Sequence, residues 1–344
     1  MPPDDAVPPA SAPPSPTVPG RAPALDPSAL ASLATLSVRA RVIVEGAFSG
    51  MHHNLHAGTS MEFTEHKEYA PGDEIRRIDW KAAGRTGRYY VKRFEDETEM
   101  RTFLVVDASA SMGYGRKGVS KLSYAGMLAG AFAYLLGQQG DPSGLMLFDE
   151  KTRHYLPPST RGGQVREIFR LLEAAAPAGR TGGERALGQI GELADKRSLV
   201  LVFSDLLDTE PEGLGKTATK AQDDAPGTTP VPRNKARGAV AERLANLSAR
   251  GHDVVMFHVL DPDEIELPFD DLMFFEGLEP GDTRTLLAEA ADLRDAFREE
   301  SSAFRERWRQ ACLESGIEYR LVPTNAAPAD VLRTFLSGRR GGRR

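Results

Sequence analysis

The sequence predicts an α/β fold in which a mostly parallel β-sheet is flanked by helices. Four apolar runs, at residues 103–106, 145–148, 199–203 and 254–259, have the length and composition of buried strands. Stretches with helical spacing lie between these runs, as at 121–138, where apolar residues recur three or four positions apart. Alternation of strands and helices favours a parallel sheet with helices on both of its faces.

Length and composition restrict the class of protein. The chain has 344 residues, of which 40% are hydrophobic and 27% charged, as is ordinary for a soluble globular protein. A net charge of -6 does not favour binding to nucleic acid or to an anionic membrane. No apolar run approaches the roughly 18 residues of a membrane span, and no basic-then-apolar leader pattern occurs. We therefore expect a cytoplasmic protein with no membrane span and no nucleic-acid partner.

The single cysteine has a structural interpretation. One cysteine excludes an internal disulfide, which fits a reducing compartment. A helical pattern at 292–313 places Cys312 on the same face as Trp308 and three other apolar residues. Cys312 is thus predicted to be a core residue and not a nucleophile.

Shifts in composition divide the chain into segments. The first residues are mostly Pro, Ala and Ser, which cannot bury a core, and a short helical pattern follows at 30–41. A later stretch without periodicity interrupts the α/β pattern and is predicted to be a flexible insertion. The predicted segments are a disordered tail at 1–28, a β-rich module at 40–98, the α/β domain at 99–337 with the insertion at about 208–238, and a basic tail at 338–344.

The first strand of the α/β domain runs into an Asp-x-Ser-x-Ser turn formed by Asp107, Ser109 and Ser111. Ligand sites of open α/β sheets lie at the carboxyl ends of the strands. A carboxylate and two hydroxyls are hard oxygen donors, which suit Mg²⁺ or Mn²⁺. A second carboxylate should come from a neighbouring strand end, and Asp205 supplies it. The alternative is that the two serines only cap the following turn.

These positions resemble the metal-ion-dependent adhesion site of von Willebrand factor type A domains. In that family a DxSxS turn follows the first strand, a threonine follows a Gly-Gly pair, and an aspartate ends a later strand. Here Glu184 follows the pair Gly182-Gly183, and Thr181 could supply the hydroxyl instead. Whether a metal occupies the site stays open, because Glu184 adds a carboxylate where a partner's acid would approach. The resemblance implies a von Willebrand factor A-like fold and a metal set drawn from Asp107, Ser109, Ser111, Thr181, Glu184 and Asp205.

A second motif lies upstream, in the predicted β-rich module. A Tyr-x-Pro-Gly-Asp turn is followed by Arg-Ile-Asp-Trp, and this combination closely resembles the hallmark of the domain of unknown function 58 family. Members of that family place the module directly before a von Willebrand factor A-like domain, and the resemblance covers roughly residues 40–337. Structural or interaction roles are predicted for the motif residues Tyr69, Pro71, Gly72, Asp73, Arg77, Asp79 and Trp80.

The resemblance also implies a function. Members of the family are commonly encoded beside MoxR-type AAA+ ATPases, and many carry two amino-terminal membrane helices, of which this sequence shows no sign. We expect a non-enzymatic adaptor that acts with such an ATPase on an unknown protein client and docks through a degenerate metal-ion-dependent adhesion site. The alternative is a metal-dependent hydrolase that uses the same site, with Glu184 as general base.

Other chemistries lack their motifs in this sequence. A phosphatase of the haloacid dehalogenase type needs a second aspartate where this chain has Ser109. No Walker pattern and no Gly-x-Ser-x-Gly elbow occurs. Four histidines have a spacing that resembles a zinc site, but no cysteine accompanies them. Turn or surface roles are therefore predicted for His52, His53, His56 and His66.

Overall fold

The computed structural model describes residues 25–49, 63–68, 84, 89–94, 100–116, 118–194, 197–207, 238–278, 280 and 285–340. The strands in these residues are β1 (Phe63–Glu68), β2 (Tyr90–Phe94), β3 (Arg101–Asp107), β4 (Ser143–Phe148), β5 (Thr152–Ser159), β6 (Ser198–Ser204), β7 (Asp253–Leu260), β8 (Leu272–Glu276), β9 (Thr285–Glu289) and β10 (Glu318–Pro323). The α-helices are α1 (Pro27–Ala31), α2 (Leu36–Phe48), α3 (Lys121–Gln139), α4 (Gln164–Ala174), α5 (Gly183–Leu193), α6 (Ala239–Ala249), α7 (Pro262–Glu266), α8 (Ala290–Glu314) and α9 (Pro328–Arg340).

Six strands form the central sheet, in the order β10, β7, β6, β3, β4, β5. Neighbours are parallel except for β5, which runs antiparallel to β4 at one edge. The predicted fold class, an α/β fold with a mostly parallel sheet, is confirmed. Because β3 and β6 are adjacent, with Val106 opposite Phe203, Asp107 and Asp205 end neighbouring strands.

The core lies on both faces of this sheet. From β3, Leu104 and Val106 pack into the layer that contains α2, α3, α4 and α9. Phe103 and Val105 pack into the opposite layer, with α5, α6 and α8. Strands buried on both faces have continuous apolar runs, which is why they could be recognised in the sequence.

The outer strands β5 and β10 were not predicted from periodicity. β5 contains two consecutive prolines, which a sheet tolerates only at its edge or at an irregularity, and β5 is an edge strand. β10 lies at the opposite edge and has one fully buried residue, Val322. Half-exposed strands lack the apolar run that marks the central ones.

One boundary of the predicted β-rich module is wrong. The helical pattern at 30–41 belongs to α2, which continues to Phe48, so a module starting at residue 40 would begin inside a helix. This helix packs against α3 and α9 and belongs to the α/β domain. The face buried there comprises Leu36, Ala40, Ile43, Val44 and Ala47.

Both predicted tails are too long. The tail at 1–28 overlaps α1, which begins at Pro27, a favourable first residue of a helix. The basic tail predicted to begin at residue 338 overlaps α9, which continues to Arg340. Arg339 forms a 2.8 Å ion pair with Asp253, and its guanidinium carbon lies 4.7 Å from the centroid of the Phe335 ring.

Of the predicted module, the structure describes the antiparallel pair β1 and β2. The family motif at 69–80, the histidines at 52, 53 and 56, and the insertion at 208–237 lie outside the described residues. No helix in the described part of the chain is both long enough and apolar enough to cross a membrane.

Candidate functional site

The carboxyl edge of the central sheet carries four aspartates. Asp107 is the last residue of β3, and Asp149, Asp205 and Asp261 directly follow β4, β6 and β7. Because these four strands are parallel, their carboxylates emerge at one edge, where open α/β sheets bind ligands. All four residues are buried, so each carboxylate requires partners inside the protein.

The predicted DxSxS residues lie together at this edge. One carboxylate oxygen of Asp107 accepts a hydrogen bond from the Ser109 amide at 2.9 Å, and the other accepts one from the Ser204 hydroxyl at 2.6 Å. The hydroxyls of Ser109 and Ser111 are 3.1 Å apart and hydrogen-bond to each other. All of these side chains are buried. The chain therefore supplies the partners of its own DxSxS turn.

A cation that the sequence analysis did not assign lies at the same edge. The side chain of Lys121, the first residue of α3, has no exposed surface. Its ammonium donates to Asp205 Oδ2 at 2.7 Å and to Glu264 Oε1 at 2.5 Å. Burial alone would lower the pKa of Lys121, but the two carboxylates outweigh burial and raise it above its usual value. Lys121 is thus a buried ammonium ion.

Two further aspartates at the edge have donors from β5 and from the loops around the site. Asp149 forms a 2.6 Å ion pair with Arg153. Asp261 accepts hydrogen bonds from the Arg116 amide at 3.2 Å and from the Thr324 hydroxyl at 2.9 Å. These contacts join the loops that follow β3, β7 and β10 into one surface.

Asp107 differs from Asp205 in its partners. Within the described residues it has hydrogen bonds but no ion pair. Burial and the nearby charge of Asp205 raise the pKa of Asp107 to about 7, against the opposing hydrogen bonds from Ser204 and Ser109. Below that pH the folded protein holds Asp107 as a neutral carboxylic acid.

An Asp107→Asn variant is expected to lose one source of pH-dependent stability. The folded protein keeps the Asp107 proton at pH values where the unfolded chain, with a pKa of 3.8, has released it. The stabilisation is therefore fully present below about pH 4 and is lost as the pH rises towards 7. Urea denaturation between about pH 5 and pH 8.5 measures this effect. The free energy of unfolding of the wild type minus that of the variant should fall up to about pH 7 and then level off.

A second buried group contributes the opposite dependence in both proteins. Burial lowers the pKa of His258 to about 4, so this residue destabilises the fold as the pH falls below about 6.5. Since His258 is unchanged in the Asn variant, its contribution cancels in the difference. Parallel stability curves for the wild type and Asp107→Asn would contradict a proton held on Asp107.

The Gly-Gly segment reaches this edge, but Glu184 does not. A Cβ atom on Gly182 would lie 2.6 Å from the carbonyl oxygen of Asp149, so a glycine is needed there. Thr181 lines a cavity of about 10 Å³ together with Ser204, the residue whose hydroxyl donates to Asp107. Glu184, in the first turn of α5, forms a 3.4 Å ion pair with Arg243 of α6 and is 40% exposed. Its side chain is directed to the helix layer, not to the expected metal set.

Comparison with known families adds one decisive finding. The model of a family described as "Protein of unknown function DUF58" matches residues 65–307, more than half of the chain. The chain belongs to the DUF58 family. The resemblance carried by the upstream motif is thereby confirmed.

Several known proteins are similar to this DUF58 chain at low sequence identity. Uncharacterized proteins from Mycobacterium tuberculosis H37Rv and Mycobacterium bovis are 27% identical over 320 residues, covering 92% of this chain and 92% of each relative. The crystal structure of conserved hypothetical protein BatB from Bacteroides thetaiotaomicron has a TM-score of 0.43 and 13% identity, covering 71% of this chain and 100% of that one. A von Willebrand factor type A structure from Catenulispora acidiphila has a TM-score of 0.37 and 10% identity, covering 69% of this chain and 41% of that one.

The donor set of this DUF58 chain, as arranged, does not fit a resident divalent metal. Both carboxylate oxygens of Asp107 accept hydrogen bonds, and those of Asp205 accept from Lys121 and from the Leu207 amide. A divalent ion about 4 Å from an ammonium is repelled by about 8 kcal/mol at an effective dielectric constant of about 20, twice the value for two unit charges. A metal that binds a partner also needs an open coordination position, whereas Asp107 and Asp205 are fully buried. Binding would require Lys121 to leave.

Sequence reasoning missed three members of this site, namely Lys121, Ser204 and Glu264. A lysine at the first position of a helix is a usable signal, because the helix dipole disfavours a cation there. Glu264, the third residue of α7, completes a capping box begun by Asp261, which is a recognisable sequence pattern. Neither signal shows that Lys121 and Glu264 lie close to Asp205, because that contact depends on loops that bring distant segments together.

Proposed function

We propose that this DUF58 protein is a non-enzymatic interaction module that acts with a MoxR-type AAA+ ATPase on a protein client in the cytoplasm. The observation that carries the proposal is the closed polar cluster at the carboxyl edge of the sheet. In the described part of the chain, Asp107, Asp205 and Glu264 accept hydrogen bonds from the protein's own donors. Such a cluster is suited to shaping a docking surface.

The docking surface that we propose lies above this cluster. Arg116, in the loop that leads from the DxSxS turn to α3, has a 53% exposed side chain. Its guanidinium is fixed by Asp263 at 3.2 Å and lies 5.1 Å from the centre of the Phe269 ring. A fixed, exposed guanidinium can bind an acidic side chain of a partner at low entropic cost. An acidic side chain is also the group that an adhesion-type site binds through its metal.

The alternative function, metal-dependent hydrolysis, has weaker support. It requires a general base within hydrogen-bond reach of an activated water. The residue expected in that role, Glu184, is paired with Arg243. No other observation on the described residues favours hydrolysis.

Substitution of Arg116 by alanine is expected to weaken binding to the ATPase by about tenfold, which corresponds to about 1.4 kcal/mol. The measurement is biolayer interferometry with the full chain immobilised and a purified MoxR-type ATPase from the same organism at fixed Mg²⁺ and nucleotide. Thermal denaturation of the variant checks that the loop change leaves the protein folded.

The matched control is Arg161→Ala. Arg161 is also exposed but follows β5, whose last residue pairs with the first residue of β4, at the amino edge of the sheet. Its removal should change the dissociation constant by less than about twofold. Equal losses in the two variants would contradict docking at the carboxyl edge. Absence of binding by the wild-type chain would contradict the partnership itself.

A further inference from the structure

Lys121 has an unusual position for a lysine. It follows the N-cap residue Ser120 directly, at the end of α3 where the helix dipole disfavours a cation. The side chain nevertheless lies fully buried. An ammonium without partners in such a place would be very costly, so its position must be compensated by negative charge.

Two carboxylates from different parts of the fold supply that charge. Asp205 ends the strand next to β3, and Glu264 comes from α7, beyond β7. They lie 2.7 and 2.5 Å from the Lys121 nitrogen. Their other oxygens accept hydrogen bonds from the amides of Leu207, at 3.1 Å, and Asp261, at 2.9 Å. Lys121 is therefore held by two oxygens that are themselves fixed.

We propose that the Lys121 ammonium is the resident cation of the DxSxS edge and takes the place of the divalent metal of adhesion-type sites. The native chain then binds neither Mg²⁺ nor Mn²⁺ at this edge. Removal of the ammonium opens the same oxygen cluster to a divalent cation. The inference concerns the cation at the site and does not depend on the ATPase partnership proposed above.

The composition of the cluster supports this exchange of cations. Without Lys121, the carboxyl groups of Asp107, Asp205 and Glu264 would have no cation among the described residues. Proteins usually bind Mg²⁺ through one or two carboxylates, with waters and other oxygens completing the shell. The hydroxyls of Ser109 and Ser111, which hydrogen-bond to each other beside Asp107, are such oxygens.

The test is a Lys121→Met variant, which keeps an unbranched side chain and removes the charge. Mn²⁺ binding is followed by loss of the paramagnetic resonance signal of the free ion and by thermal denaturation in EDTA or in about 5 mM MnCl₂. We expect the variant to be less stable than the wild type in EDTA, to gain stability with Mn²⁺, and to bind Mn²⁺ at least about tenfold more tightly than the wild type does.

Two controls keep the result interpretable. Lys151→Met removes an exposed lysine from the turn between β4 and β5 and should behave as the wild type. The double variant Lys121→Met with Glu264→Gln has one negative charge fewer and replaces the single variant in the Mn²⁺ measurements if the single variant does not fold.

Binding of one Mn²⁺ per wild-type chain, abolished by Asp107→Asn, would overturn the proposal. So would a folded Lys121→Met or double variant without Mn²⁺ binding. Mn²⁺ binding by the Lys121→Met variant, with no Mn²⁺ binding by the wild type, would support the proposal whether or not an ATPase partner is found.

Discussion

Replacing Asp205 with asparagine is expected to lower the free energy of unfolding by about 3–5 kcal/mol. The pair between Asp205 and Lys121 has no solvent-exposed side-chain surface. Asparagine keeps the size of the residue and an acceptor for the Leu207 amide, but it leaves the ammonium with Glu264 alone. Loss of repulsion between Asp205 and Asp107 offsets part of this cost. Urea denaturation at about pH 7.5 measures the change.

An exposed ion pair provides the control for this prediction. Arg41 and Glu45 approach to 2.7 Å on α2, with side chains 66% and 57% exposed. Glu45→Gln should change the free energy of unfolding by less than about 1 kcal/mol, because solvent screens such pairs. Similar effects of the two substitutions would show that Asp205 does not compensate a buried charge.

The Phe257→Ala variant is expected to lose about 3–5 kcal/mol of stability through a cavity in the core. Phe257 is fully buried in β7, and its ring is stacked 4.8 Å from that of Phe203 on β6. The rings of Phe132 on α3 and Phe335 on α9 lie 5.6 and 6.0 Å away. Removal of the central ring takes one ring contact from each of three aromatic partners, and rigid neighbouring strands cannot fill the space by collapsing. Urea denaturation with the same protocol tests this expectation.

Phe274→Ala is the matched control. Phe274 lies in the β8–β9 hairpin with its side chain 61% exposed. Its truncation should change the free energy of unfolding by no more than about 0.5 kcal/mol. If Phe257→Ala were as mild, the four rings would not form the rigid centre of this layer.

The central strands could be predicted because their sequence pattern has a local cause. β3, β4, β6 and β7 are covered on both faces, so that nearly every residue is apolar until the strand reaches the carboxyl edge. The same reasoning found α3 and the buried face of α8. It failed at β5 and β10, where one side of each strand has no neighbour in the sheet and the apolar run is lost.

The DxSxS site shows a different limit. The approach of Asp107 to Asp205 followed from the order of strands that such a sheet favours, and the structure brings the two together with Ser109 and Ser111. The direction of the Glu184 side chain could not be predicted in the same way. A shift of one residue along α5 decides whether a side chain faces the sheet edge or α6, and Glu184 faces Arg243 of α6.

The sequence was sufficient to predict the α/β class, the order of the central strands along the chain, the position of the DxSxS turn and, through the upstream motif, membership of the DUF58 family. These properties follow from hydrophobic periodicity and from contiguous motifs, which the chain carries locally. The charges that meet at the carboxyl edge could be identified only in the folded protein. Lys121 precedes Asp205 by 84 residues and Glu264 by 143, and contacts over such separations depend on how the strands pair and how the loops close. The cation of this site is therefore set by folding, which places a lysine where the local motif alone indicates a metal.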